Sequence, residues 1–285
     1  TNGAHIEDRQ DAEKLMLDRG TGVPVVLIPG IQGRWEWMHP AVDAFAAQAR
    51  VITDSLPGDA HSVGAINPDR GFDNFVDWID LLIAQANVDA VSLCGVSYGG
   101  WIALHYAAAR PTRVLSLTLA STPPPTWQPP CRVERYLRAP RLMAPLFMLS
   151  SPLRLSAEIT AAFPRLWQRS YFVAQHLSRI VRWPMAPTLM AQRVQLASTA
   201  DFTVDCGRIV LPTQVLTGEA ELDRVVAVRS SREYLEVIPG AQSFELEHTG
   251  HIGVVTRPDR FADVVTGFAR AAETAARPNQ VRVPA

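Results

Sequence analysis

The sequence predicts an α/β fold: a mostly parallel central sheet with helices on both faces and an inserted helical cap. Three observations predict it. Continuous apolar runs alternate with segments whose apolar residues recur at helical spacing. One of these runs passes through a glycine-flanked serine directly into a helix-like stretch. The alternation stops between residues 123 and 205 and then resumes.

The elements follow in order. Val23-Pro24-Val25-Val26-Leu27-Ile28 is apolar throughout and ends in Pro29-Gly30, as a strand buried on both faces would. Residues 36–50 read as a helix and 51–54 as a second strand. In 72–87 the apolar positions 72, 75, 76, 79, 82, 83 and 86 define one helix face. Residues 90–109 carry no Asp, Glu, Lys or Arg, but their three glycines favour a buried strand and buried helix over a membrane span. Residues 114–119 read as a strand. The segments 136–148 and 159–183 read as helices. Strands return at 213–218 and 243–246, and a final helix runs from 258 to about 276. Strands alternating with helices require crossovers and hence a parallel sheet. The expected division is a core in 1–122 and 206–285 with a helical cap in 123–205, hinged at its proline-rich flanks. A frayed tail is expected after residue 277.

With 285 residues, the chain can bury one large core or a core plus a small lobe. Its 47% apolar content and net charge of −1 fit a globular protein and give no basis for nucleic-acid binding. Cys94, Cys131 and Cys206 form no metal or redox spacing, and no metal or cofactor is expected. The polar first eighteen residues do not resemble a signal peptide. Together with the sparse cysteines, they lead us to expect a cytoplasmic protein. Charge is uneven. Residues 127–200 hold ten arginines against Glu134 and Glu158, a net +8, leaving −9 on the rest. Such a cap is attracted to the acidic core, and it would also attract anionic substrates or surfaces.

The chemistry centres on Gly95-Val96-Ser97-Tyr98-Gly99, between the run 90–94 and the helix-like stretch ended by Pro111. A strand–serine–helix turn needs glycines two before and two after, because the backbones approach closely there. The turn exposes the serine oxygen at a helix N-terminus, where free N–H groups stabilise an anion.

On these residues the chain resembles the α/β-hydrolase superfamily, in its capped, serine esterase-like branch, over roughly residues 23–272. The resemblance implies a Ser…Asp/Glu…His triad in that order. Ser97 takes the nucleophile's place. His251, in Glu247-His248-Thr249-Gly250-His251 after the last strand, takes the base's place, with His248 as runner-up. His105, on the helix after the serine, is read as structural. The acid lies in Gly218-Glu219-Ala220-Glu221-Leu222-Asp223. Counting forward from Gly218 reaches Glu221; counting back from Val225-Val226 reaches Asp223. Asp223 is preferred, with Glu221 and then Glu219 as alternatives. Some relatives carry the acid after the preceding strand, but residues 120–123 here hold no carboxylate.

The resemblance also implies an oxyanion hole from the backbone N–H groups of Tyr98 and Ile31. Most relatives have His-Gly before that second donor; this chain has Pro29-Gly30. The implied activity is hydrolysis of a small or medium carboxylic ester, lactone or thioester through an acyl-enzyme. A serine at the turn argues against the dehalogenase and epoxide-hydrolase branches, which use aspartate there. The same triad also performs C–C bond hydrolysis, acyl transfer and perhydrolysis, and a non-catalytic ligand-binding protein is the alternative of another class. The partner expected is a small acyl substrate. Leu142, Met143, Leu146, Phe147, Met148, Phe163, Trp167 and Phe172 are candidates for an acyl pocket or for the cap's own core.

Overall fold

The computed structural model describes residues 16–276 apart from residue 61; the tail expected to fray lies outside them. Its strands are β1 (Leu17–Arg19), β2 (Pro24–Ile28), β3 (Arg50–Thr53), β4 (Val91–Val96), β5 (Val114–Ala120), β6 (Thr213–Thr217) and β7 (Gln242–Glu245). They form one sheet in the order β1-β3-β2-β4-β5-β6-β7. Every pairing is parallel except β1 with β3. β1 was not anticipated, because three residues are too few to show a period.

Period-two alternation sorts each strand between two apolar layers. Val26 and Ile28 face one layer with α2 (Asn74–Gln85), α3 (Tyr98–Ala109) and α8 (Phe202–Arg208). Val25 and Leu27 face the other with α1 (His39–Ala46) and α12 (Pro258–Ala276). β4 is buried along its whole length. This, with helix α3 behind it, accounts for the uncharged stretch 90–109: it is the centre of the sheet. Among the described residues, no helix is long and apolar enough to cross a membrane.

Several boundaries moved for identifiable reasons. The helix expected over 36–50 divides into a 3₁₀ turn, Trp35–Met38, and α1, because Pro40 fits only the first turn of an α-helix. Arg50 belongs to β3, pairing with Pro24. The helix expected from 72 begins at Asn74, and Gly71, with a positive φ of 52°, kinks the preceding 3₁₀ segment, Pro68–Asp73.

Between β5 and β6 the chain is helical: α4 (Cys131–Arg138), α5 (Pro140–Ala162), α6 (Leu166–Arg182), α7 (Pro187–Ala197) and α8. The two long helices expected at 136–148 and 159–183 are therefore phased wrongly. Pro140 starts α5, and Pro164 pushes Phe163 to φ −125°, out of the helical region. The boundary expected at residue 205 falls inside α8, whose Phe202 stacks on Trp101 of α3 at 4.9 Å. α9 (Val228–Ser231), α10 (Tyr234–Val237) and α11 (Gly253–Thr256) complete the fold.

His105 is structural, as expected. Its Nδ1 lies 2.7 Å from Asp205 Oδ2 on α8 and its Nε2 lies 3.0 Å from Asp73 Oδ1. Burial lowers its pKa, but the two carboxylates overcome that and raise it. A raised folded-state pKa contributes stability that is complete below the unfolded value of about 6.5 and is lost as pH rises through the folded value. His105→Gln should therefore destabilise the protein most near pH 6, by chemical denaturation, with a smaller difference at pH 9. A gap that grows with pH would contradict this.

Candidate active site

The turn between β4 and α3 fixes the position of Ser97. Its φ and ψ are 55° and −119°, a conformation that non-glycine residues rarely hold. Ser97 N donates to Ala120 O at 2.8 Å, and Gly100 N donates to Ser97 O at 2.9 Å, which hold the turn from both sides. A Cβ on Gly95 would collide with the Gly99 backbone, and one on Gly99 would meet the Ile28 carbonyl. The glycine spacing thus allows β4, α3 and the end of β2 to touch.

Three of the expected residues meet. Ser97 Oγ lies 3.1 Å from His251 Nε2. His251 Nδ1 lies 3.3 Å from Asp223 Oδ2. Asp223 Oδ1 accepts the N–H groups of Val225 and Val226, each at 2.9 Å, which locks its carboxylate toward the imidazole. The alternatives lie elsewhere. Glu221 is exposed. Glu219 Oε1 accepts from the backbone of His248 at 2.6 Å, so the third-choice acid and the second-choice histidine engage each other. The register counted back from Val225-Val226 is the one that reaches the imidazole, because those two N–H groups hold the acid.

Tyr98 is the first residue of α3, so its N–H has no partner in the helical ladder. Ile31 and Tyr98 line the same cavity as Ser97. Ile31 is held by a group that sequence reasoning missed: Arg193 of α7, whose Nη1 donates to Ile31 O at 3.0 Å. Arg193 is fully buried and paired with Asp59. Gly33 sits against this pair with φ +83°, and any side chain there would strike the guanidinium and the carboxylate. In the sequence Arg193 was only one of ten arginines; no local pattern distinguishes a buried arginine from a solvated one.

A second missed group is Glu158 of α5, also fully buried. Its carboxylate accepts from Ile252 N and Thr256 Oγ1, both at 3.0 Å, so it caps α11 immediately after His251. Burial raises its pKa, opposed by these hydrogen bonds and by the charge of His251.

Two cavities meet at Ser97. The first, about 280 Å³, is lined by Ile31, Tyr98, Met143, Leu146 and Phe147 among others. The second, about 250 Å³, is lined by His251, Ile252, Phe147, Met148 and Phe172 among others. Of the apolar cap candidates, Leu142 and Trp167 line neither and are 78% and 63% exposed. Phe163 packs on Phe172 at 4.9 Å. Among the described residues, no group of three or more His, Cys, Asp or Glu is arranged to hold a metal ion.

The alpha/beta hydrolase fold family model matches residues 23–258. The chain belongs to that family. Over 263 residues it is 25% identical to RutD of Azorhizobium caulinodans, named for carbamate hydrolysis, covering 90% of this chain and 95% of the relative. Among solved structures it is similar to the enol-lactonase from Burkholderia xenovorans LB400, with TM-score 0.71, 21% identity, and coverage of 90% of this chain and 95% of that one. The esterase EaEST from Exiguobacterium antarcticum has TM-score 0.71 and 20% identity, with 90% and 94% covered. The chain is thus a hydrolase-family enzyme, and these structural likenesses carry the fold.

Glu158→Ala should leave the Ile252 N–H without its buried acceptor, at about 1–3 kcal/mol, while the Thr256 hydroxyl can still donate to Ile252 O. Chemical denaturation should show that loss, whereas Glu221→Ala should change stability by no more than about 0.5 kcal/mol. Equal effects would refute the capping role of Glu158.

Proposed function

We propose that this hydrolase cleaves small or medium carboxylic esters, lactones or thioesters through an acyl-enzyme on Ser97. One observation carries the proposal: the unbroken line from Ser97 Oγ through His251 to Asp223, at 3.1 and 3.3 Å, where two cavities meet.

In this mechanism Ser97 Oγ attacks the carbonyl carbon as His251 Nε2 takes its proton. The carbonyl oxygen becomes an oxyanion, facing the N–H groups of Tyr98 and Ile31; one such donor typically contributes about 3 kcal/mol to the transition state. Collapse breaks the ester C–O bond, and His251 returns the proton to the leaving oxygen. Water then attacks the acyl-enzyme, giving its proton to His251, which passes it to Ser97 as the acid departs. Asp223 holds the imidazole in one tautomer and stabilises its charged form. The strain at Ser97 keeps the hydroxyl clear of the sheet, so little motion separates the resting geometry from attack.

The names of the similar proteins, a lactonase and an esterase among them, favour carbonyl hydrolysis at such a site. Small-molecule substrates follow from cavities of this size.

Three substitutions test the reading on p-nitrophenyl esters of several chain lengths. Ser97→Ala should abolish turnover and labelling by a fluorophosphonate. Asp223→Asn should lower kcat by roughly a thousandfold or more, because the amide selects the wrong tautomer. Glu221→Gln should retain activity within about threefold, as a surface substitution. Failure of wild type to turn over any ester or react with the fluorophosphonate would leave the non-catalytic alternative standing.

A further inference from the structure

The two cavities differ in one respect that bears on the substrate. His251 lines the second and not the first. In the reaction proposed above, His251 must reach the leaving oxygen to return its proton. The leaving alcohol therefore occupies the second cavity and the acyl chain the first.

The wall of the acyl cavity is mainly apolar, and its two charged residues share one sign: Arg132, from the first turn of α4, and Arg154, from the middle of α5. No Asp or Glu lines this cavity. Neither arginine makes an ion pair with any described residue; Arg132 is exposed and Arg154 half-buried. By contrast Arg34 pairs with Glu36, Arg50 with Asp18 and Arg193 with Asp59.

Arg154 is nonetheless held in place. Its guanidinium stacks over the Phe147 ring at 4.8 Å, and its Nη2 reaches Phe147 O at 3.3 Å and Ser151 Oγ at 3.2 Å. Its Nε is buried without a partner. Burial and the nearby charge of Arg132 both lower its pKa. The half-buried Arg154, with a like charge beside it and one unused donor, gains from an anion that joins the two arginines.

We propose that Arg132 and Arg154 form a subsite for a carboxylate at the far end of the acyl chain, so that the preferred substrates are monoesters of short dicarboxylic acids. The Phe147 ring and the bonds of Nη2 fix the guanidinium plane, which leaves Nη1 of Arg154 pre-oriented to donate to a carboxylate oxygen. The apolar wall between Ser97 and the arginines takes the methylene chain. Phe147 lines both cavities, so the residue that orients Arg154 also divides acyl group from alcohol. The subsite deepens the ester-hydrolase reading and depends on it for the assignment of the two cavities.

The test compares mono-p-nitrophenyl esters of four- to eight-carbon diacids with p-nitrophenyl esters of the monoacids of equal length. Wild type should favour the charged ester by about ten- to a hundredfold in kcat/KM at its best length, the worth of one or two charge-assisted hydrogen bonds. Arg154→Gln and Arg132→Gln should each lower that ratio, and the double variant should bring it near one. Arg154→Lys should restore part of it. Arg141→Gln removes an exposed cap charge that lines neither cavity. It should leave the ratio unaltered; an equal fall there would mean diffuse attraction to the basic cap and would overturn the subsite.

A binding arm uses Ser97→Ala protein, titrated with glutarate, inorganic phosphate and glutaramide. Glutarate should bind, glutaramide should not, and adding Arg154→Gln should weaken glutarate at least tenfold. No glutarate binding, or phosphate binding more tightly than glutarate, would overturn the carboxylate assignment. Arginine-dependent glutarate binding in an enzyme that cleaves no ester would sink the hydrolase reading and keep the anion subsite. Brisk cleavage of neutral esters with no preference for charged ones would do the reverse.

Discussion

The structure depends on one close approach. Where β4 turns into α3, its backbone comes within van der Waals contact of the end of β2, and the glycines at 95 and 99 allow it. The turn places Ser97 at φ 55°, a conformation that costs of order 1–3 kcal/mol and persists because the surroundings impose it. Those surroundings are the most buried part of the molecule: β4 is covered on both faces, and α3 has buried residues on all sides. A strained serine at the rim of a loose sheet would relax. Here relaxation would have to pull a fully packed strand out of register with β2 and β5. The energy of the core thereby holds a local conformation that the chain alone would not adopt.

The inserted helices do more than cover the rim. Arg193 of α7 reaches the Ile31 loop, and Glu158 of α5 reaches the turn after His251. Each is fully buried and each bonds a backbone group beside the serine site: Ile31 O for Arg193, Ile252 N for Glu158. Buried charges of this kind add little net stability when paired, but losing one partner typically costs about 3–5 kcal/mol. They tie the insertion to the rest of the chain, with its arginine on Asp59 and its glutamate accepting from Thr256. The same docking shapes both cavities, since Phe147 on α5 contributes to each. Recognition and the support of the proposed reacting groups therefore share one interface.

How much of this was legible in the sequence varied with the range of the signal. Ser97 was readable because its whole context is local: a buried run, a glycine on each side, and an uncharged helix. His251 was readable because a Gly-His turn follows a strand and precedes a proline-started helix. The acid was only half readable. Glu221 and Asp223 lie two positions apart, and the deciding contacts, the N–H groups of Val225 and Val226, exist only once the loop has folded back on itself. The helices of the insertion were recognised as helices but misphased. Apolar spacing there blends cavity-lining, packed and exposed positions, so Leu142 and Phe147 looked alike although only Phe147 reaches the site.

The amino-acid order by itself determined the class of fold, the strained serine turn and the unequal charge of core and insertion, while the chain order of the candidate triad came from the family resemblance. The fold class and the turn are set by short-range sterics and by period, which act between near neighbours. Only the tertiary structure decided which acid meets the imidazole, which two of the ten arginines in 127–200 line the first cavity, and which arginine and glutamate turn inward beside the site. Those choices are made by desolvation. A charged side chain carries the same formula on the surface and in the core, and its environment is defined by groups as far away as residues 59, 154 and 252.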